Sequence, residues 1–263
     1  MSDVAPLLSL VELLRSHFDA PPRSLTVFSA SWPLARALRL PPDRIARTLC
    51  DALVETFSTS TILMPTFTHG FDARGLCDLD RLPSTTGVIS ETFRLRADAR
   101  RTRSAFFSFA IVGPEQGNLV ALTPREAWGE GSLYHWMLAA NTRIVTIGVH
   151  PTHCSFSHLA EWLHRDQVRY RFNKTFRGRL CHEQREYDWE ETLFVRQLDP
   201  SPVNDFTWLL PHFLDAGMRL DTIAGVTLSS IDAANKMVVL NRMMAKDPYA
   251  MIKNRSEILA LGD

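Results

Sequence analysis

Three short segments rich in apolar and β-branched residues constrain this chain more than any other feature. They are Ser24–Ser29 (SLTVFS), Thr59–Phe67 (TSTILMPTF, closed by Pro65) and Asn141–Val149 (NTRIVTIGV). A strand that is apolar on both faces has to be covered on both faces, which places it inside a sheet with helices above and below. Between the first two lie segments of helical periodicity, Leu34–Leu38 and a stretch after Pro42 with Ile45, Leu49, Leu53 and Val54 on one face. This alternation predicts an α/β fold, a single large domain over residues 1–263 with a central mixed β-sheet flanked by helices.

The remaining elements follow from the same patterns. Leu7, Leu8, Val11, Leu14 and Phe18 predict an opening helix that the Pro21-Pro22 pair ends. Phe106–Val112 and Tyr187–Val195 read as strands, and Ala224–Ala233 as a strand or loop. Asn204–Met218 reads as a helix with Phe206, Leu209, Leu210, Phe213 and Leu214 inward, and Ala234–Met243 as a closing helix. Residues 70–105 carry Gly, Asp and Arg in place of apolar periodicity, with Arg94, Arg96, Arg100, Arg101 and Arg103 crowded together. Such a run is either a solvated face or a phosphate site.

Composition narrows the function classes. Lys plus Arg and Asp plus Glu each total 29, so no net charge points to nucleic acid or to an acidic partner. The basic, aromatic-interleaved segment Arg165–Arg179 therefore reads as a local anion site or an amphipathic strand. Cys50, Cys77, Cys154 and Cys181 lie far apart without a CxxC pair, which suits reduced thiols and a cytoplasmic protein. The N-terminal segment is amphipathic and contains acidic residues, and no apolar run approaches the roughly 18 residues of a membrane span, so neither a signal peptide nor a membrane partner is expected.

The chemistry concentrates between Ile144 and Glu161. There the strand runs into a turn and then a helix carrying His158 and Glu161, three residues apart and so on one face. An imidazole with one nitrogen held by a carboxylate is a ready general base. Two other readings use the same stretch. If the helix already includes Cys154, thiol and imidazole share a face, and a covalent Cys-His-Glu route becomes conceivable. The set His150, His153, Cys154, His158 and Glu161 is also dense in potential zinc ligands, although its spacing matches no strong zinc signature, so no metal is expected and a zinc-dependent hydrolase is the weaker alternative. Upstream, Gly129-Glu130-Gly131-Ser132 precedes the helical LYHWMLAA, where free backbone N–H groups can receive an anion.

Several motifs in order resemble one family. Thr61-Ile-Leu-Met-Pro-Thr-Phe-Thr68, Arg103-Ser104, Gly129-Glu-Gly-Ser132, Gly148 and Ser155-Phe-Ser-His158-Leu-Ala-Glu161 are similar to the aminoglycoside 3-N-acetyltransferases, a coenzyme A-dependent group distinct from the GNAT enzymes. YRFNKTFRG at 170–178 and Asn204-Asp205-Phe206 echo it further. The resemblance spans roughly residues 25–235 and implies an acetyl-CoA co-substrate, a small-molecule amine acceptor, His158 as catalytic base and Glu161 as its partner. It implies coenzyme contacts from Ser31, Arg103, Ser104, Ser108 and Gly129, Glu130, Gly131 and Ser132. The chain departs from the pattern on the donor side. Ser29-Ala30-Ser31 stands where His-Ser-Ser is common, and Arg103-Ser-Ala-Phe-Phe-Ser108 is shorter than the family's Arg-Ser-x-His-Pro segment. These readings converge on an acyl-CoA-dependent N-acyltransferase for an amino sugar, another biosynthetic amine or an aminoglycoside. A non-catalytic relative that binds coenzyme or sugar is the alternative, and the oligomeric state stays open, a homodimer included.

Overall fold

The computed structural model describes residues 4–260. Helix α1 (Ala5–Arg15) ends six residues before the Pro21-Pro22 pair and leads to β1 (Ser24–Ser29), α2 (Ser31–Leu38), α3 (Pro42–Thr56) and β2 (Thr61–Pro65). The segment without clear periodicity holds α4 (Phe71–Arg74), β3 (Leu76–Asp78), α5 (Val88–Arg94) and β4 (Arg100–Arg101). Then come β5 (Phe109–Val112), α6 (Gln116–Val120), α7 (Leu133–Ala139), β6 (Arg143–Ile147) and α8 (His158–Leu163). The chain continues through β7 (Arg171–His182), β8 (Arg185–Arg196), α9 (Leu210–Asp215), β9 (Arg219–Ile223), β10 (Val226–Asp232), α10 (Ala233–Lys246) and α11 (Arg255–Leu259).

The large sheet has the order β4-β5-β2-β1-β6-β10-β9. Its centre, β2-β1-β6, is parallel, and β5 and β10 flank it antiparallel, so the predicted mixed sheet is present. Successive residues of the central strands alternate between two cores. Leu25, Val27, Ile62, Met64, Val145 and Ile147 pack with α1, α3 and α5, while Phe28, Leu63 and Ile144 pack into the opposite layer with α7, α8 and α10. Burial of both faces is the reason these strands lack a polar stripe. A second sheet, β3-β7-β8, is built on a twelve-pair hairpin and shares the α7–α8 core.

Some boundaries differ from the sequence reading. The predicted helix 204–218 is a short 3-10 turn followed by α9, because Pro211 suits only a helix's first turn; Phe206, Leu209 and Phe213 are buried, whereas Leu210 is half-buried and Leu214 is exposed. The basic, aromatic-interleaved stretch becomes the start of β7. Ala224–Ala233 is mainly strand β10, paired on both sides.

All three parallel strands deliver their C-terminal ends to one edge, where ligands bind in sheets of this kind. Phe67, the start of α2 and the turn before α8 therefore meet there. No helix among the described residues is long and apolar enough to cross a membrane.

Candidate active site

The turn after β6 depends on Gly148. Its φ is +69°, and a Cβ there would lie 2.9 Å from the Ala30 carbonyl oxygen, so glycine lets the two strand ends exit side by side. The chain passes Cys154 in extended conformation, makes a 3-10 turn at Ser155–Ser157 and enters α8 at His158. Tyr134 of α7 donates its hydroxyl to Ser155 Oγ at 2.8 Å and pins that turn. Cys154 thus lies outside the helix, and the helical thiol–imidazole pairing is absent, although both side chains line the same cleft.

His158 and Glu161 meet as their spacing predicts. Nδ1 lies 2.5 Å from Glu161 Oε2, and Glu161 is fully buried. An ionised carboxylate only accepts, so this contact assigns the proton to Nδ1 and leaves Nε2 with a lone pair on the side away from Glu161. The His158 side chain is 22% exposed and borders an open cleft of about 500 Å³.

Glu161 is held by more than His158. Tyr170 donates its hydroxyl to Oε1 at 2.8 Å, and Arg171 Nε forms an ion pair with the same oxygen at 3.0 Å, without aiming its N–H along the contact. Arg171 reaches further, with Nη1 donating to the Phe194 carbonyl at 3.2 Å and Nη2 to Asn204 Oδ1 at 3.5 Å. Nη2 also stands 3.3 Å from His158 Nδ1, and since that nitrogen's proton is directed at Glu161, this contact is one of charge and packing. Burial pushes the Glu161 carboxyl up, but the charges of His158 and Arg171, with hydrogen bonds from His158 and Tyr170, outweigh it and hold the group at about 2. Burial and the neighbouring carboxylate push the Tyr170 phenol up, so it remains a donor.

The cleft walls are aromatic. Phe67 meets Phe107 edge-on at 5.0 Å between centroids, Phe107 packs on Trp128 at 4.9 Å, and the His158 ring sits between Trp128 (6.1 Å) and Phe206 (5.8 Å). His153, Cys154, Ser155, Arg171 and Asn204 supply the polar atoms.

The residues expected at the coenzyme fare differently. Ser108 is fully buried; its hydroxyl donates to the Thr66 carbonyl at 2.8 Å and accepts from Arg101 Nε at 3.0 Å, so it braces two strand ends and cannot touch a ligand. Ser104 donates to Glu191 Oε1 at 2.6 Å and accepts from the Phe107 N–H at 2.8 Å. With the Ala105 N–H and the Trp189 indole on the other oxygen, Glu191 fastens the 104–107 turn to β8, and burial raises its carboxyl. Ser104 therefore anchors this turn, and with Arg103 and Glu191 it borders a small cavity; sequence reasoning missed Glu191. Ser132 is buried and caps α7 by accepting the His135 N–H at 3.3 Å, so this helix start is already satisfied. Gly129 is buried, while Glu130 and Gly131 are exposed on a separate open groove that Arg125 and Arg165 also border. Ser31 is half-buried at the start of α2.

The arginine run is largely committed to the fold. Arg94 pairs with Glu91, Arg96 with Asp51 and Asp98, and Arg100 with Glu183. Arg101 is buried on the Leu79, Leu82 and Thr66 carbonyls, which removes the expected positive surface for phosphates at these positions. Arg103 differs. Its guanidinium lies over the Tyr187 ring at 5.2 Å and donates to the Ala121 carbonyl at 3.4 Å, while its Nε is buried without a partner. Ser29 Oγ, at the end of β1, is likewise buried and unpartnered. The histidine- and cysteine-rich stretch does not converge on a metal geometry. Among the described residues, the one set of three close potential ligands is Asp78, Asp80 and Cys181, in the second sheet.

Residues 41–245 match the family model described as aminoglycoside 3-N-acetyltransferase. The chain belongs to that family. The family's chemistry is acetyl-CoA-dependent N-acetylation, as the sequence resemblance implied, and acetyl-CoA is its co-substrate. Solved structures agree on the fold of this aminoglycoside 3-N-acetyltransferase relative. AAC-IIIb, solved as a binary complex with CoASH, superposes with a TM-score of 0.75 at 19% identity, covering 91% of this chain and 96% of its own. AAC-VIa bound to sisomicin gives 0.73 at 20% identity, with 91% and 97% covered. YokD from Bacillus subtilis gives 0.71 at 14%, with 92% and 99% covered. No curated protein matches by sequence.

Proposed function

We propose that this family member transfers an acetyl group from acetyl-CoA to a primary amine, with His158 as general base and Glu161 as the residue that fixes its tautomer. The observation that carries this reading is the His158–Glu161 contact at 2.5 Å, made through Nδ1 by an imidazole that lines the aromatic cleft. A protonated amine cannot attack a thioester, so the acceptor reacts as its free base, and its nitrogen must still shed one N–H proton to a base within hydrogen-bond reach. His158 Nε2 takes the proton as the N–C bond forms. The imidazolium, facing a carboxylate that stays ionised, then returns the proton to the thiolate released when the C–S bond breaks. Bound acetyl-CoA supplies the activated carbonyl. Half-buried Ser31 at the start of α2, and Arg103 beside Ser104 and Glu191, stay as candidates for coenzyme contacts. Glu130 and Gly131 stay as candidates on the neighbouring groove.

Thiol release from acetyl-CoA in the presence of an amine panel tests this, comparing wild type with His158→Ala. Loss of a positioned base predicts a fall of about 100-fold or more. Equal rates would remove His158 from the mechanism.

A further inference from the structure

We infer that the acceptor is a primary amine on an aromatic frame, such as an arylalkylamine, rather than a polycation; this rests on the cleft beside His158 being the acceptor site. Phe67, Phe107, Trp128 and Phe206 form a nearly continuous wall of rings that reaches the base on both sides. Such a wall presents apolar faces and edges to a flat ring, with centroid spacings in the range of paired aromatics. It presents no anionic surface for ammonium groups.

The charges around the cleft favour the same class. No carboxylate is among the cleft-lining residues, and the permanent charge in the wall is the guanidinium of Arg171. Glu161 is fully buried behind His158, with both oxygens engaged by His158, Tyr170 and Arg171. Asp205 sits between two wall residues, but its Oδ1 accepts from both the N–H and the hydroxyl of Thr207, and it faces the charges of Lys253 and His153. A ligand with several ammonium groups would surrender hydration there and find no counter-charge on the wall, since the Arg171 guanidinium is itself paired with buried Glu161. A single amine avoids this penalty because it reacts as its neutral free base and carries no second ammonium group into the cleft.

Two measurements separate this inference from the catalytic reading beneath it. In the first, thiol release from acetyl-CoA is compared for tryptamine, 2-phenylethylamine and sisomicin. The aromatic amines should exceed sisomicin by about 100-fold in kcat/KM. Phe67→Ala and the milder Phe67→Leu should each raise KM for tryptamine, the first by about 10-fold, with kcat little changed. In the second, binding of the same ligands to the CoA-bound enzyme is measured by calorimetry. Aromatic amines that bind without turnover would sustain the acceptor class while sinking the catalytic role. Sisomicin binding or reacting as well as tryptamine would overturn the acceptor class, as would no binding of either aromatic amine at millimolar concentration.

Discussion

Replacing Glu161 by Gln keeps the shape of the side chain and removes its charge, and the structure sets the size of the effect. The carboxyl sits at about 2 against an ordinary 4.5, a net stabilisation of its ionised form near 2.5 pKa units. At 1.36 kcal/mol per unit this is about 3 kcal/mol, shared among His158, Arg171 and Tyr170. If half to all of it acts on the imidazolium, the proton-transfer step loses about 2–3 kcal/mol, a roughly 30- to 150-fold fall in rate. The amide adds a second effect. An NH2 facing His158 favours the tautomer with the proton on Nε2, the wrong nitrogen for a base, and a comparable Asp→Asn change in a serine protease triad lowers turnover about 10⁴-fold. The expected fall in kcat/KM is thus at least about 30-fold, carried mainly by kcat. The assay is steady-state thiol release, with circular dichroism to verify folding and a double mutant with His158→Ala. Two results would refute the reasoning: a fall under threefold in a folded variant, or an additive loss in the double mutant.

Three further outcomes follow from the same contacts. Glu161 has its folded pKa depressed, so its stabilisation is present above pH 4.5 and lost as pH falls toward 2; urea midpoints through that window should fall more steeply for wild type than for Glu161→Gln. Asp80→Ala should destabilise the β7–β8 hairpin by about 1–3 kcal/mol, read by chemical denaturation, because Asp80 accepts the N–H groups of both turn residues, Glu183 and Gln184, at 2.8 Å; an unchanged midpoint would make those bonds incidental. Gly148→Ala should cost about 1–3 kcal/mol through its positive φ and the 2.9 Å contact with Ala30, and should impair turnover by shifting the turn that carries His158; an active variant of wild-type stability would contradict this.

How much was legible depended on whether a feature is local. The His158–Glu161 pair was readable because three residues along a helix fix a shared face, and the central strands because double burial removes their polar residues. The β7–β8 hairpin was half visible. Its turn places Glu183 and Gln184 at φ 51° and 60°, where Asn-Gly would be the usual signal, and a distant Asp80 supplies what the local sequence lacks. The arginine run stayed open between a solvated face and a phosphate site for a related reason, since composition cannot reveal that Arg101 is turned inward onto three carbonyls. Tyr170 and Arg171 lay within a quoted motif, yet their roles arise only when the start of β7 is laid against α8.

On the proposed mechanism, that contact also explains how a fully buried carboxylate can serve a base at the cleft. Alone, Glu161 would bear the full desolvation of its charge, and protonation would be its cheapest relief. Arg171 supplies the counter-charge and Tyr170 a donor that does not titrate in the working range; with His158 in the neutral form that the proposed base requires, the cluster carries no net charge. When His158 gains a proton, the cluster becomes positive by one, with the carboxylate at 2.5 Å and the guanidinium Nη2 at 3.3 Å from the same nitrogen. The carboxylate stabilises that proton and the guanidinium opposes it. In the proposed mechanism the base can therefore accept a proton from the amine and still release it to the departing thiolate, with the balance set by Arg171, which reaches the helical pair from β7.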